Sequence, residues 1–364
     1  MNSKIKSSSN NFFKNKNVLI TGHTGFKGAW LSYYLYFLGS NVMGISLKPS
    51  TKPSLFEILN LKKKMNSNFI DILDKNKIEK KIKEFKPDII FHLAAQAIIK
   101  KSYHYPLETW KTNLLGTIHI IEAVRKQKKK CLCIIITSDK CYKNLEKKNG
   151  YKEDDILGGI DPYSASKAAT EIAFKSYFDC FLKETNHRLV TARAGNVIGG
   201  GDWSQNRIIP DCVRAISKNK KVKIRNPKAS RPWQHVIEII NGYLKLAKKL
   251  NSNKKINGQS FNFGPKNSEI VAVSKILKNI SRNWPGFKWV KIGNMIKNET
   301  DLLVLNTNKV NRTLNWKTRL KVDIAVKLTI EWYREFYQNK KKDFTPIKNL
   351  TKKQILDYHK KFKI

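Results

Sequence analysis

Short apolar runs and amphipathic stretches alternate along the first 195 residues. NVLIT (17–21), NVMGISL (41–47), NFIDILD (68–74), PDIIFHLAA (87–95), the run IIIT (134–137) and RLVTARAGNVIG (188–199) stand out as the apolar segments. The isoleucine-rich 134–137 run reads as a strand covered on both faces of a sheet. Between the runs, helices are expected over 27–38, 78–85, 107–126 and 164–184. Strand and helix in regular alternation predict an α/β fold, a doubly wound parallel sheet.

Beyond residue 196 the alternation fades and turn-rich stretches such as GGGDWSQN and NPKASRPW take over. Helices are expected over 271–283, 307–314 and 322–338, and QSFNFGP (259–265) is a candidate extra strand of the same sheet. The chain is therefore divided into a polar tail (1–12), a sheet domain (13–195), a smaller and partly interleaved C-terminal lobe (196–345) and an extension (346–364).

Composition narrows the function classes. A hydrophobic content of 41% over 364 residues suits a globular enzyme, and no apolar run is long enough to span a bilayer. The five cysteines are scattered and have no histidine partners at metal-ligand spacing, so no metal site is expected and a reduced, cytoplasmic setting fits best. The formal charge of +43 would suit a polyanion partner. The lysines are spread along the whole chain rather than gathered with aromatics on one element, so a solvated surface is expected, with no nucleic-acid or membrane partner.

Two motifs carry chemistry. Gly22, Gly25 and Gly28 follow the first strand and open the first helix, together with Thr24, Phe26 and Lys27. Glycines at such a turn let the backbone approach a pyrophosphate, whose charge meets the amides of the helix terminus. Further on, Tyr163 and Lys167 stand four apart and share a helix face. An ammonium beside a phenol stabilises the phenolate and makes it a usable base. The 134–137 strand runs straight into Ser138, Asp139 and Lys140, at the end of the sheet where ligands bind in such folds.

These segments resemble the extended short-chain dehydrogenases/reductases, the NAD-dependent epimerase/dehydratase family, with a Rossmann sheet. Within it they are most similar to the CDP-glucose 4,6-dehydratases. TGHTGFKGAWLSYYL, FHLAAQ, PLETWKTNLLGT, DDILGGIDPYSASKAATE and ARAGNVIGGGDW carry the wider likeness, and TSDKCY and RPWQHV the narrower one. The resemblance implies an NAD cofactor regenerated within each cycle: oxidation at C4 of the hexose, loss of water across C5 and C6, and hydride return to C6. In that scheme Tyr163 is the base, Lys167 its helper and Ser138 the hydroxyl that holds O4. Asp139 is the acid for the C6 hydroxyl, and Lys140 handles the C5 proton.

The same resemblance implies further cofactor contacts at Asp71, Ile72, Leu93, Ala94 and Ala95. It assigns Gln96, Asn113, Asn196, Arg207 and Arg231 to the nucleotide-sugar substrate, although Asn113 also reads as a structural amide inside a helix. A homodimer or dimer of dimers is implied through the helices bearing Asn113 and Tyr163, and the product would feed deoxysugar synthesis of the O-antigen, lipopolysaccharide type. One departure stands out. No carboxylate follows the second strand, where NAD enzymes commonly bind ribose hydroxyls; Ser46 and Lys48 are there instead, which leaves NADP open. A sugar-nucleotide epimerase and a non-catalytic polyanion-binding protein are the rival readings. An epimerase needs no acid after the 134–137 strand, and a polyanion binder does not need Ser138, Asp139, Tyr163 and Lys167 together.

Overall fold

The structure, a computed structural model, describes residues 11–266, 269–293, 303–339 and 343–362. Six strands of the first half, β1 (Asn17–Thr21), β2 (Asn41–Ser46), β3 (Asn66–Phe69), β4 (Ile89–His92), β5 (Leu132–Ile136) and β6 (Arg188–Ala194), join the strand Ser260–Phe263 in one sheet. The order is Ser260–Phe263, β6, β5, β4, β1, β2, β3, and every pairing is parallel. The order reverses between β1 and β4, which opens a crevice at the carboxyl ends of those strands.

Successive side chains of a strand face opposite ways, and the core divides accordingly. Val18, Ile20, Ile89, Phe91, Ile134 and Ile136 enter one buried cluster, whereas Leu19, Ile90, Cys133 and Ile135 enter a second on the other face. Both faces are apolar because helices cover both, as the uninterrupted LCIII of β5 anticipates.

Several boundaries differ from the sequence expectation. β3 spans Asn66–Phe69 rather than 68–74, because the Asp71 carboxylate accepts the Leu73 amide and turns the chain. The expected helix over 107–126 is three consecutive helical segments, Pro106–Trp110, a π-helical Lys111–Leu115 and Gly116–Arg125. The helix Pro162–Tyr177 likewise continues into a π-helical Phe178–Leu182. Val271–Ala272 pairs with Ser230–Arg231 before the helix Val273–Asn283 begins.

Among the described residues, the short helices Leu55–Ile58 and Ile99–His104 have no counterpart in the sequence reading, nor do three longer ones: Ile208–Ile216, Val236–Ser252 and Thr345–Phe362. The second carried a readable signal, since Val236, Ile239, Ile240, Tyr243, Leu246, Ala247 and Leu250 recur at helical spacing and are all buried. It packs against β5 and β6, and the following strand Ser260–Phe263 pairs with β6, so the chain returns to the sheet after residue 196.

The proposed tail lies outside the described residues up to residue 10. Asn11 is tied down by its amide, which donates to the Leu38 carbonyl at 2.8 Å, and the Phe12 ring packs edge-on against Phe13. The extension is not loose chain up to residue 362. Trp332 Nε1 donates to Thr351 Oγ1 at 2.8 Å, and the Tyr34 hydroxyl bonds His359 Nδ1 at 2.9 Å. No helix among the described residues is long and apolar enough to cross a membrane.

Candidate active site

The glycine turn is built at the switch point. Gly22 has φ +75, and a Cβ on it would lie 2.8 Å from the Ala94 nitrogen; a Cβ on Gly28 would lie 2.1 Å from the Gly22 carbonyl oxygen. Both contacts demand glycine, which draws the turn onto the chain after β4. Thr21 ties the same strands: its carbonyl accepts the Leu93 amide and its hydroxyl the Ala94 amide. Gly25, exposed and with no side-chain cap, opens the helix Phe26–Phe37, so the first-turn amides of this helix have no capping side chain. That donor set fits a pyrophosphate. Thr24 is committed elsewhere, since its hydroxyl bonds Ser46 at 2.8 Å and donates to the Leu47 carbonyl.

Next to this turn, β5 ends at Ile136 and the chain passes through Thr137 and Ser138 into a tight turn, Asp139–Cys141. Ser138 caps that turn, its oxygen accepting the Lys140 amide while its hydroxyl donates to Asp139 Oδ1 at 2.9 Å. Asp139 is buried, and burial pushes its carboxyl above the ordinary range against the pull of Lys140, Ser138 and Arg231. Lys140 is partly exposed.

The helix Pro162–Tyr177 delivers the second half of the site. Asp161 caps it by accepting the Ser164 amide at 2.9 Å, and proline occupies its first position, so Tyr163 sits in the first turn. Burial pushes the Tyr163 phenol up to about 12, against the pull of the neighbouring Ser138 hydroxyl. Lys167 Nζ donates to the Ile136 carbonyl at 3.4 Å, which places the ammonium against the end of β5. Burial pulls that ammonium down to about 8, opposed by Glu171.

Lys27 interacts electrostatically with Arg207, Lys167, Asp139 and Asp202, and burial pulls it down to about 8. Arg207 pairs with the buried Asp202 at 3.5 Å, and its field, like Asp139's, reaches Tyr163. Lys27, Ser138, Asp139, Tyr163, Lys167, Arg207 and Arg231 thus form one electrostatically connected cluster.

Gln96 and Asn113 bond to each other and to the helices around them. The Asn113 amide accepts from Gln96 N at 2.8 Å and donates to the Gln96 carbonyl and to Ser166 Oγ; Gln96 Nε2 donates to Thr109. Both side chains knit the loop after β4 to two helices. Ile72 is buried against Gly116, its carbonyl bonded to His119, whereas Asp71 is exposed beyond β3. The Asn196 carbonyl accepts the Gln234 amide at 3.1 Å, and Arg231 lies on the short strand Ser230–Arg231.

Sequence reading missed the layer beneath these groups. Glu171, one turn beyond Lys167, is 2% exposed and accepts bonds from Thr137, Thr191, Arg193 and Ser260. Arg193 also donates to the Tyr142 hydroxyl at 2.6 Å, and Tyr142 in turn donates to Asn262. The spacing Tyr163, Lys167, Glu171 was the available signal, since three residues four apart share one helix face.

A glycine turn at the switch point of a parallel sheet, with a serine, tyrosine and lysine gathered at the end of β5, defines a Rossmann-type protein of the short-chain dehydrogenase/reductase class. The chain belongs to the family described as GDP-mannose 4,6 dehydratase, whose model matches residues 19–329. It is 38% identical to the CDP-glucose 4,6-dehydratase of Salmonella typhimurium, over 96% of this chain and 97% of that protein. Human dTDP-D-glucose 4,6-dehydratase is 26% identical over 89% and 91% of the two chains. The solved dTDP-glucose 4,6-dehydratase of Bacillus anthracis, in complex with NAD, shares the fold with a TM-score of 0.75 at 18% identity, over 90% of this chain and 98% of that one.

Proposed function

We propose that this protein is a hydro-lyase that converts CDP-D-glucose to CDP-4-keto-6-deoxy-D-glucose with a tightly held NAD. The observation that carries the reading is the placement of Ser138 at the end of β5, where its hydroxyl donates to the buried Asp139 and acts on the Tyr163 phenol. A base for a hydroxyl proton and a buried acid are thereby held around one point, as oxidation followed by elimination requires. The glycine cradle fits the dinucleotide, with Gly22, Gly25 and Gly28 against the pyrophosphate and the ends of β1 and β4 beside the rest. When bound, the nicotinamide supplies the acceptor and later the donor of hydride.

The chain's own groups then divide the work. Ser138 orients the C4 hydroxyl and Tyr163 takes its proton, with the Lys167 ammonium lowering the cost of the phenolate. A ketone at C4 acidifies the C5 proton, which the amine form of Lys140 accepts to become an ammonium. Asp139, which burial favours in its protonated form, donates to the departing C6 hydroxyl so that it leaves as water. Arg207 and Arg231 hold the diphosphate by charge-assisted bonds, with Asn196 beside them.

We further assign residues 13–195 to the dinucleotide domain and 196–345 to a substrate lobe, supported by the clustering of Asn196, Arg207 and Arg231 in the latter. A homodimer through the helical segments 106–125 and 162–182 accounts for the exposure there of Leu107, Trp110, Leu115, Ile172 and Phe181. The five cysteines are free thiols, consistent with work in the cytoplasm on a sugar destined for surface polysaccharide.

Incubation of the purified protein with CDP-, TDP-, GDP- and UDP-linked hexoses tests the reading. The 4-keto-6-deoxy product from the cytidine substrate is expected. Recovery of an epimer, or turnover only of another nucleotide, overturns it.

A further inference from the structure

The site has a floor that the scheme above does not use. Glu171 and Arg193 are 1% and 3% exposed at the side chain and meet at 2.8 Å. Such a pair is costly to desolvate, so replacing it with apolar residues is often neutral or stabilising. Its retention beneath a reaction centre calls for another account.

The bonds of the Glu171 carboxylate supply one. Oε1 accepts the hydroxyl of Thr137, the residue before Ser138, and Oε2 accepts from Thr191 and Arg193 of β6 and from Ser260 of the neighbouring strand. A single carboxylate on the helix that carries Tyr163 and Lys167 therefore grips the strand end that carries Ser138 and Asp139. Arg193 extends the grip. It donates to the Tyr142 hydroxyl and to the Glu153 carbonyl, and its guanidinium lies 4.9 Å from the centre of the Tyr142 ring. The chain leaving the reactive turn is thus held from the same point.

We infer that Glu171 is a positioning residue for this chemistry: it locks the end of β5 to the helix bearing Tyr163 and sets a negative charge one helical turn from Lys167. The inference rests on the roles proposed above for Tyr163 and Lys167. The groups facing Glu171 are Lys167 on its own helix, Arg193 on β6, Cys141 on the turn, and the hydroxyls of Thr137, Thr191 and Ser260; Lys167 in turn faces Lys27 and Cys141. Burial would raise the Glu171 carboxyl, but Arg193 and the hydroxyl donors outweigh it and hold the group ionised below the ordinary carboxylate range. Burial lowers Lys167, and Glu171 and Cys141 both raise it, Glu171 the more strongly. Neutralising Glu171 removes that support and leaves Arg193 positive, so the ammonium loses its proton at lower pH.

The test follows the first half-reaction, the rise of reduced-nicotinamide absorbance after substrate is added, across pH. In Glu171→Gln the alkaline fall of that rate should move down by about one pH unit, the scale of shift that one nearby charge produces. Glu171→Asp, which keeps the charge, should leave the limb in place. Thr137→Val leaves the ion pair intact and cuts only the link to the strand end. It should lower kcat by about tenfold to a hundredfold with little change in KM, and Thr137→Ser should restore it. Melting temperatures taken alongside separate these effects from lost folding.

If Glu171→Gln does not fold, the Thr137 pair decides the matter. A wild-type pH limb in folded Glu171→Gln, or unchanged kcat in Thr137→Val, overturns the inference. The underlying reading fails differently, through a Tyr163→Phe protein that still reduces its cofactor.

Discussion

The Asp139 carboxylate lies against Gly195: a methyl group on that glycine would stand 3.1 Å from Oδ2 and 3.3 Å from the Pro232 ring. Both contacts are tighter than ordinary packing, and the proline ring is stiff, so an added methyl shifts the acid. Gly195→Ala is expected to slow water loss by at least about tenfold, the scale of a small misplacement of a reacting group, with little effect on oxidation at C4. Rapid-quench sugar analysis beside nicotinamide absorbance checks this; equal slowing of both steps would count against it.

Direct removal of the two reacting groups separates the steps further. Asp139→Asn should still give reduced nicotinamide on mixing with substrate yet release little dehydrated sugar, whereas Tyr163→Phe should give neither. Each loss is expected at about two to four orders of magnitude, the usual worth of a general acid or base. Stopped-flow absorbance paired with product analysis is the measurement, and parallel loss of both steps in Asp139→Asn would refute the division of labour.

The glycine turn makes different demands at different positions. A Cβ at Gly28 would strike the Gly22 carbonyl at 2.1 Å, but one at Gly25 would meet its nearest neighbour at 3.4 Å. Gly28→Ala should therefore lose both stability and dinucleotide binding. Gly25→Ala should fold with a melting temperature near wild type and bind NAD weakly, because its methyl occupies space beside the helix amides. Fluorescence titration and thermal melts distinguish the pair; full NAD affinity in Gly25→Ala would remove the pyrophosphate from this turn.

After β2, Ser46 is buried against Thr24 while Lys48 is exposed. No carboxylate repels the extra phosphate of NADP there, so NAD is expected to bind with only modest preference. Lys48→Asp should sharpen that preference, as read by titration with both dinucleotides. A wild-type protein that prefers NADP, reversed by Lys48→Asp, would overturn the NAD assignment.

Glu238, on the helix Val236–Ser252, is fully buried and accepts the Arg319 and Leu320 amides, and burial raises its carboxyl from 4.5 to about 7. The folded protein therefore holds this proton more tightly than the unfolded chain. Its contribution is full below pH 4.5 and is lost as pH rises through about 7. Glu238→Gln keeps an acceptor for both amides and should abolish this loss, worth about 3 kcal/mol between the two limits. Chemical unfolding of both proteins at pH 5 and pH 8 measures the difference, and an unchanged pH dependence would exclude the group.

Local chemistry was enough for the strands, the glycine turn and the Tyr163–Lys167 spacing, because each depends on residues within a few positions of one another. The uninterrupted apolar runs announced a sheet covered on both faces, and the turn announced an anion site at a helix start. The end of β3 was missed because one aspartate turns the chain before the apolar pattern ends. The helix Val236–Ser252 was passed over although its period was visible. Other features depended on contacts between distant segments. Nothing near Gln96 in the chain announces its bonds to Asn113 and Thr109, which folding brings to its polar atoms. Glu171 reads as one more acid on a helix until β6 and Ser260–Phe263 bring Arg193, Thr191 and Ser260 around it. The order of the strands set where the crevice opens, and the return of the chain through Val236–Ser252 completed the wall behind it. Burial then raised Asp139 and lowered Lys167, because removal from water depends on the whole fold and on no motif.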